Sequence, residues 1–296
     1  MKKQSKFFRI ADIAYLAITI IPIIIGIIIK IFTTPLSDGI SISGALIYFT
    51  IPMPIQNLPI TESQVNSWLV IVSILGLCLY LTHGLNTKEP TRRQHIAEML
   101  VELCDKMVIG NMGEYFAGFS PFIASILALS AVSSIIALCG LYAPTSDINI
   151  VGGWAILVFV LITYYKMKCG PLMYIKSFAD PVLMAPLNII SEFATPVSMA
   201  FRHYGNVLSG SVISVMLATG LGGLSNILLS WLPGFLGELP LLRIGIPAVL
   251  SIYFDVFSGI LQAYIFAMLT MLYVSGGFPI EEYFKRKSKK ANKQTI

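Results

Sequence analysis

The chain has 296 residues, 56% of them hydrophobic and 12% charged, about half the charged share of a soluble domain. With so little polar surface its solvent is lipid, and the class is polytopic membrane protein. The net charge of +5 lies at the two ends, in Lys2, Lys3, Lys6 and Arg9 and in Lys285, Arg286, Lys287, Lys289, Lys290 and Lys293. That pattern excludes a nucleic-acid-binding protein and predicts both termini on the cytoplasmic side, beside anionic lipid.

The first apolar run extends from Ile10 to Phe32, interrupted only by Asp12, Pro22 and Lys30. About 20 residues suffice to cross a hydrocarbon core about 30 Å thick. The run exceeds a usual signal-peptide core, and no small-residue cleavage site follows in Thr33–Gly39, so it reads as a retained anchor. Residues 33–65, rich in proline, read as an external loop, and Trp68 to Thr82 is a second span. This divides the chain into an N-terminal anchor and loop, 1–66, and a main membrane domain, 67–296, that ends in a short basic cytoplasmic tail, 280–296.

Between Thr87 and Val108 charged residues alternate with Ile96, Met99, Leu100, Leu103 and Met107. Apolar positions three and four apart predict an amphipathic helix, lying on the cytoplasmic face of the membrane or serving as a solvated connector. Phe119–Tyr142 and Ile150–Tyr165 are the third and fourth spans, joined by the short turn Ala143–Asp147 as an antiparallel helical hairpin. Lys166, Lys168 and Lys176 then mark a cytoplasmic return. The last two apolar segments, Val182–Trp231 and Leu239–Ser275, run for 50 and 37 residues. Even with a break at Gly220–Gly223 they are too long to stand upright, and are expected to tilt strongly or run partly along the membrane plane. The predicted fold is an all-α polytopic membrane protein with six membrane segments, two of them long and tilted, plus a cytoplasmic-side amphipathic helix.

Cys78, Cys104, Cys139 and Cys169 lack metal-ligand spacing and read as packing residues, and His83, His95 and His203 are dispersed. Neither a metal nor a cofactor is expected. The residue that stands out is Arg202, inside the fifth segment. An arginine at membrane depth costs at least about 2.5–3.5 kcal/mol on insertion scales, and it cannot shed its charge. Water, an acidic partner or both must solvate it. Ser198, Arg202, Asn206 and Ser209 share one helical face, while Gly205 and Gly210 keep the helix slim enough for close approach.

The sixth segment has its own polar stripe: Ser251, Asp255, Ser258 and Gln262. Asp255 could relay protons, pair with a base, or be a hydrogen-bonded structural carboxylate. Glu192 lies ten residues before Arg202, about 80° around the helix, too far round for a direct salt bridge. It reads as a carboxylate at a cavity mouth or as a helix-start cap. His203 points about 100° away from Arg202 and reads as a packing residue.

The run Pro196-Val197-Ser198-Met199-Ala200-Phe201-Arg202-His203-Tyr204-Gly205-Asn206 closely resembles the signature of subunit a of F-type ATP synthases, a Pro-x-Ser-x-x-x-Arg-x-x-Gly-Asn pattern that carries the family's essential arginine. Leu261-Gln262-Ala263-Tyr264-Ile265-Phe266 with Leu269-Thr270 is similar to the family's final-helix motif. Pro186-Leu187-Asn188 followed by Glu192 is similar too, and the resemblance covers roughly residues 60–275. It implies an ion-translocating stator subunit in a bacterial inner membrane, offering two half-channels to a ring of c subunits. Protons are the expected cargo. Ser198, Arg202, Asn206, Ser209 and Glu192 on the fifth segment, with Asp255 and Gln262 on the sixth, are the implied ion-path residues. The implied partners are the c ring, the peripheral-stalk b subunit, other ATP synthase subunits and membrane lipid.

Two positions depart from the family pattern. Many members carry an acid immediately after the glycine matching Gly210, where this chain has Ser211, and a histidine where it has Asp255. The acid is expected to have moved from the fifth helix to the sixth, keeping a carboxylate in the same half-channel. A secondary transporter would more often show paired repeats and broken helices. A membrane hydrolase would need a motif such as HExxH or GxSxG, and neither is present; nor is a phosphate-binding GxxxxGK[ST] loop. The subunit is therefore expected not to be an enzyme by itself.

Overall fold

The computed structural model describes residues 6–33, 44–54, 56–86, 90–168, 170–178, 182–230, 241–278 and 283–284. Lys2, Lys3, Cys169, the Ser251 side chain and the basic residues from Lys285 to Lys293 lie outside the described residues. Among those described, six helices are long and apolar enough to cross a membrane. The chain is a helical polytopic membrane protein.

Helix α1 (Lys6–Thr33) packs along α2 (Glu62–Thr82). They come close at Gly76, where a Cβ would lie 2.7 Å from the backbone nitrogen of Thr19. Small residues let membrane helices meet this way, through van der Waals contact. Polar clasps hold both ends. Asp12 of α1 accepts from Arg93 at 2.7 Å and meets His83 Nδ1 at 2.9 Å, while Lys30 lies 3.2 Å from Glu62.

The segment expected to be plain loop contains an antiparallel ribbon, β1 (Ile47–Ile51) and β2 (Leu58–Thr61), with Ile47 opposite Thr61 and Ile51 opposite Leu58. Its β-branched and aromatic residues favour strands, and Pro59 is tolerated in an isolated ribbon that has no central strand. The ribbon leads directly into α2, so that helix starts at Glu62 rather than near Trp68. The boundary expected at 66/67 falls inside it.

The amphipathic helix α3 (Arg92–Met112) starts at Thr91, whose hydroxyl accepts from the Gln94 amide, and stops at Gly113, which takes φ +85°. Ile96, Met99, Leu100 and Leu103 remain exposed, while Val108 and Met112 enter the core. A short 3₁₀ turn, Glu114–Phe119, leads into α4 (Ser120–Leu138), and Asp147 then caps α5 (Ile148–Lys168) by accepting from the Asn149 amide at 2.9 Å. The expected α4–α5 hairpin is splayed. After the short helix α6 (Pro171–Phe178), α5 packs on α7 (Ala185–Leu229), and α4 packs on α9 (Ser258–Gly276). Gly259 makes this possible, because Ser134 occupies the space a side chain there would need.

Helix α7 runs unbroken for 45 residues through Gly220 and Gly223. At 1.5 Å per residue it is about 68 Å long, twice the hydrocarbon thickness, so a course within the apolar layer must be strongly oblique. The last segment is α8 (Leu241–Ser251), a π-helical stretch Ile252–Phe257, and α9. The main core joins α3, α4, α5, α7 and α9 through Val108, Ile123, Val158, Met199, Phe266 and Met271.

Replacing Gly76 with alanine is expected to lower stability by about 1–3 kcal/mol, because the methyl must displace Thr19 backbone. The matching Gly110→Ala change in α3, where a Cβ meets nothing within 4 Å, is expected to be neutral or mildly stabilising. Thermal unfolding in detergent compares the two.

Candidate functional site

The polar face of α7 is split between a free side and a packed side. Ser198, Arg202 and Ser209 are exposed, whereas Asn206 is half-buried and turned toward α9. Its Nδ2 donates to the Ser258 hydroxyl at 2.8 Å and to the Ser258 carbonyl at 3.4 Å. Asn206 therefore bridges the two long segments just where the π-helical stretch ends. Gly210 is buried against Phe254 of that stretch, so the close approach this glycine permits is used within the chain.

Arg202 makes no hydrogen bond and no ion pair among the described residues. The same two segments expose large apolar and aromatic side chains as well: Val197 and Phe201 on α7, and Tyr253, Phe257, Leu261 and Tyr264 on the last segment. A permanent cation thus stands on a free, oily face, with Ser198 and Ser209 as its polar flank.

Asp255 sits in the π-helical stretch, half-buried and with no partner among the described residues. Gln262 is buried in α9 with its Nε2 unpaired among them. The stripe expected along one helix face is therefore divided, because a π turn holds more residues than an α turn and shifts every later side chain.

His203 behaves as a packing residue. It is 1% exposed, edge-on to Trp154 and Phe266, with Ser130 Oγ 3.4 Å from Nε2. Glu192 is occupied as well. Lys166 Nζ lies 2.7 and 2.8 Å from its two oxygens, and the Tyr174 hydroxyl donates to it at 3.2 Å. Burial, with the Glu192 charge beside it, raises the Tyr174 phenol above its ordinary value, so it remains a donor. Lys166 and Glu192 line a cavity of about 200 Å³ together with Thr195, Tyr273 and Gly277.

Lys166 and Tyr174 escaped sequence reasoning as members of this cluster. They lie 26 and 18 residues before Glu192, on other helices, and no local periodicity links them. Among the described residues no cluster of His, Cys, Asp and Glu is suited to a metal.

These features define a polytopic helical membrane protein with an arginine, unpaired among the described residues, exposed on the first of two overlong segments. Residues 64–275 match the family described as ATP synthase A chain. The chain is 30% identical over 216 residues to ATP synthase subunit a of Geotalea daltonii, covering 71% of this chain and 84% of that protein. It is 26% identical over 242 residues to ATP synthase subunit a of Legionella pneumophila, covering 81% of this chain and 95% of that one. The chain belongs to this family and is a stator component of the ATP synthase membrane sector. Helix α1 precedes the matched region.

The Asn206–Ser258 bridge generates a test. In a double-mutant cycle of Asn206→Ala and Ser258→Ala, the coupling is expected near about 0.6 kcal/mol, the usual size of a hydrogen bond between membrane helices. Detergent unfolding of the two single variants and the double variant measures it.

Proposed function

We propose that this chain conducts ions, protons in the first instance, between two offset half-channels and a ring of c subunits, and thereby couples ion flow to rotation and ATP synthesis. The observation that carries the reading is Arg202, a permanent cation on an exposed apolar face with no anionic partner among the described residues. A ring that presents one membrane carboxylate at a time supplies what this face lacks. The guanidinium stabilises the ionised carboxylate, so an ion arriving bound to the ring is released there. The same charge repels a cation attempting to leak directly from one half-channel to the other.

Within this reading Asn206 fixes the crossing of the two long segments, Gln262 is a buried polar group of the ion path on the last one, and Ser198 and Ser209 flank the arginine. Asp255 is the chain's own exchangeable carboxylate, standing on the sixth segment where many relatives keep a histidine. Glu192 belongs to the wall of an access cavity. The exposed apolar side of α3 is suited to the cytoplasmic membrane surface, with the b subunit of the peripheral stalk as neighbour. The terminal basic clusters favour both ends in the cytoplasm of a bacterium, with the chain in its inner membrane. The driving force is about 2.3 kcal/mol per charge per 100 mV. The chain forms no phosphate bond itself, and catalysis belongs to the soluble head.

In vesicles carrying the complete complex, Arg202→Ala is expected to abolish ATP-driven proton uptake while the head continues to hydrolyse ATP; full pumping by this variant would overturn the proposal. Asp255→Asn is expected to slow pumping and alter its pH dependence. An active Asp255→Asn complex with a normal pH profile removes Asp255 from the ion path and with it the idea of a relocated acid.

A further inference from the structure

The Lys166–Glu192–Tyr174 cluster lies ten residues, about 15 Å, along α7 from Arg202. Four elements meet there: the last turn of α5, the short helix α6, the first third of α7 and the end of α9. Their cavity of about 200 Å³ has room for several water molecules at about 30 Å³ each. Its polar wall is made by Lys166, Glu192 and Thr195, and its apolar wall by Phe159, Ile162 and Leu272.

Lys166 is held from three sides. Its ammonium grips both carboxylate oxygens, and its Nζ stands 5.8 Å from the centre of the Tyr174 ring. Its stem lies on bare backbone at Gly277, where a Cβ would come within 3.0 Å of Cε and 3.1 Å of Cγ. The pair is largely enclosed, with side-chain exposures of 25% for Lys166 and 15% for Glu192. A paired charge in such a site differs from a surface ion pair, because removing one partner leaves the other enclosed and uncompensated.

The groups facing Glu192 are Lys166 from α5, Tyr174 from α6 and, across the cavity, Tyr273 from α9. Among the described residues Lys166 is the single cation facing it, and the Tyr174 hydroxyl donates to it. Lys166 therefore decides how the Glu192 carboxylate is held in the cavity.

We propose that Lys166 is the positioning residue of this access cavity: it pins Glu192 as a fixed anion against α5, so that protons cross the cavity on water without being trapped by the carboxylate. The inference rests on the ion-conducting role proposed above. It assigns to Lys166 a task distinct from that of Arg202, which acts at the ring.

The test uses the complete ATP synthase in inverted membrane vesicles, following ATP-driven quenching of a pH-sensitive dye across neutral and mildly alkaline pH. Lys166→Met is expected to reduce pumping about tenfold and to change the shape of its pH profile from that of the native complex, because Glu192 is then free to exchange protons. Lys166→Arg is expected to restore most of the rate, and adding Glu192→Gln to Lys166→Met is expected to return the pH profile to its native shape, whatever the amplitude. Wild-type pumping by Lys166→Met overturns the inference, and so does slow pumping with an unchanged profile, which marks a merely structural residue. Should Lys166→Met fail to assemble, Tyr174→Phe carries the test by removing one donor: a weaker form of the same pH dependence supports the inference, and an unchanged profile overturns it. Arg202→Ala, run alongside, separates the two claims, since pumping by that variant would overturn the ion-conducting role itself.

Discussion

The arrangement of this chain depends on one charge that cannot be removed. Arg202 stays protonated in any environment a protein provides. On α7 it faces outward among apolar side chains, with no ion pair inside the described chain. A stable single-chain membrane protein turns such a group toward its own interior or toward a water-filled cavity. Here the interior side of α7 is filled by Met199, Ala200 and His203, and the arginine side is left open. In the proposed assembly the ring completes that face, bringing both apolar contact and a negative charge.

Three ionisable groups of the long segments are treated in contrasting ways. Glu192 is satisfied within the chain, by Lys166 and Tyr174. Arg202 and Asp255 have no partner among the described residues. If α7 and the last segment were free to slide, the natural outcome would be an Arg202–Asp255 ion pair, which would silence both. The Asn206–Ser258 bridge and the seating of Gly210 on Phe254 fix the crossing instead. Packing, rather than charge, sets the relative position of the two segments and keeps both charges available.

The lipid-facing parts of the fold were legible in the sequence. The apolar runs gave six spans, and the excess length of the last two followed directly from counting residues against bilayer thickness. The inward turn of His203 followed from its 100° offset from Arg202. What remained hidden depended on contacts distant in sequence. The splaying of α4 from α5 requires knowing that Gly259 admits Ser134. The β1–β2 ribbon lay in a segment whose prolines read as loop. The partner of Glu192 lies 26 residues upstream on another helix, and the lysine concerned had an adequate explanation as a marker of membrane sidedness.

The π-helical stretch shows how one segment reconciles two demands. In a regular α-helix Ser251, Asp255, Ser258 and Gln262 would share a face, and whatever buried Gln262 would tend to bury Asp255 with it. Gln262 must point inward, because Phe266, one turn further on, packs edge-on to His203 and Gly259 accommodates Ser134. In the role proposed for it, Asp255 needs access to exchange a proton. The wider turns of Ile252–Phe257 rotate the residues before them relative to α9, leaving Asp255 half-buried while Gln262 enters the core. Straightening that stretch would force the segment to give up either its packing on α4 and α7 or the accessibility of its carboxylate. The irregularity is therefore part of how the same helix packs as a core element and presents an ionisable group.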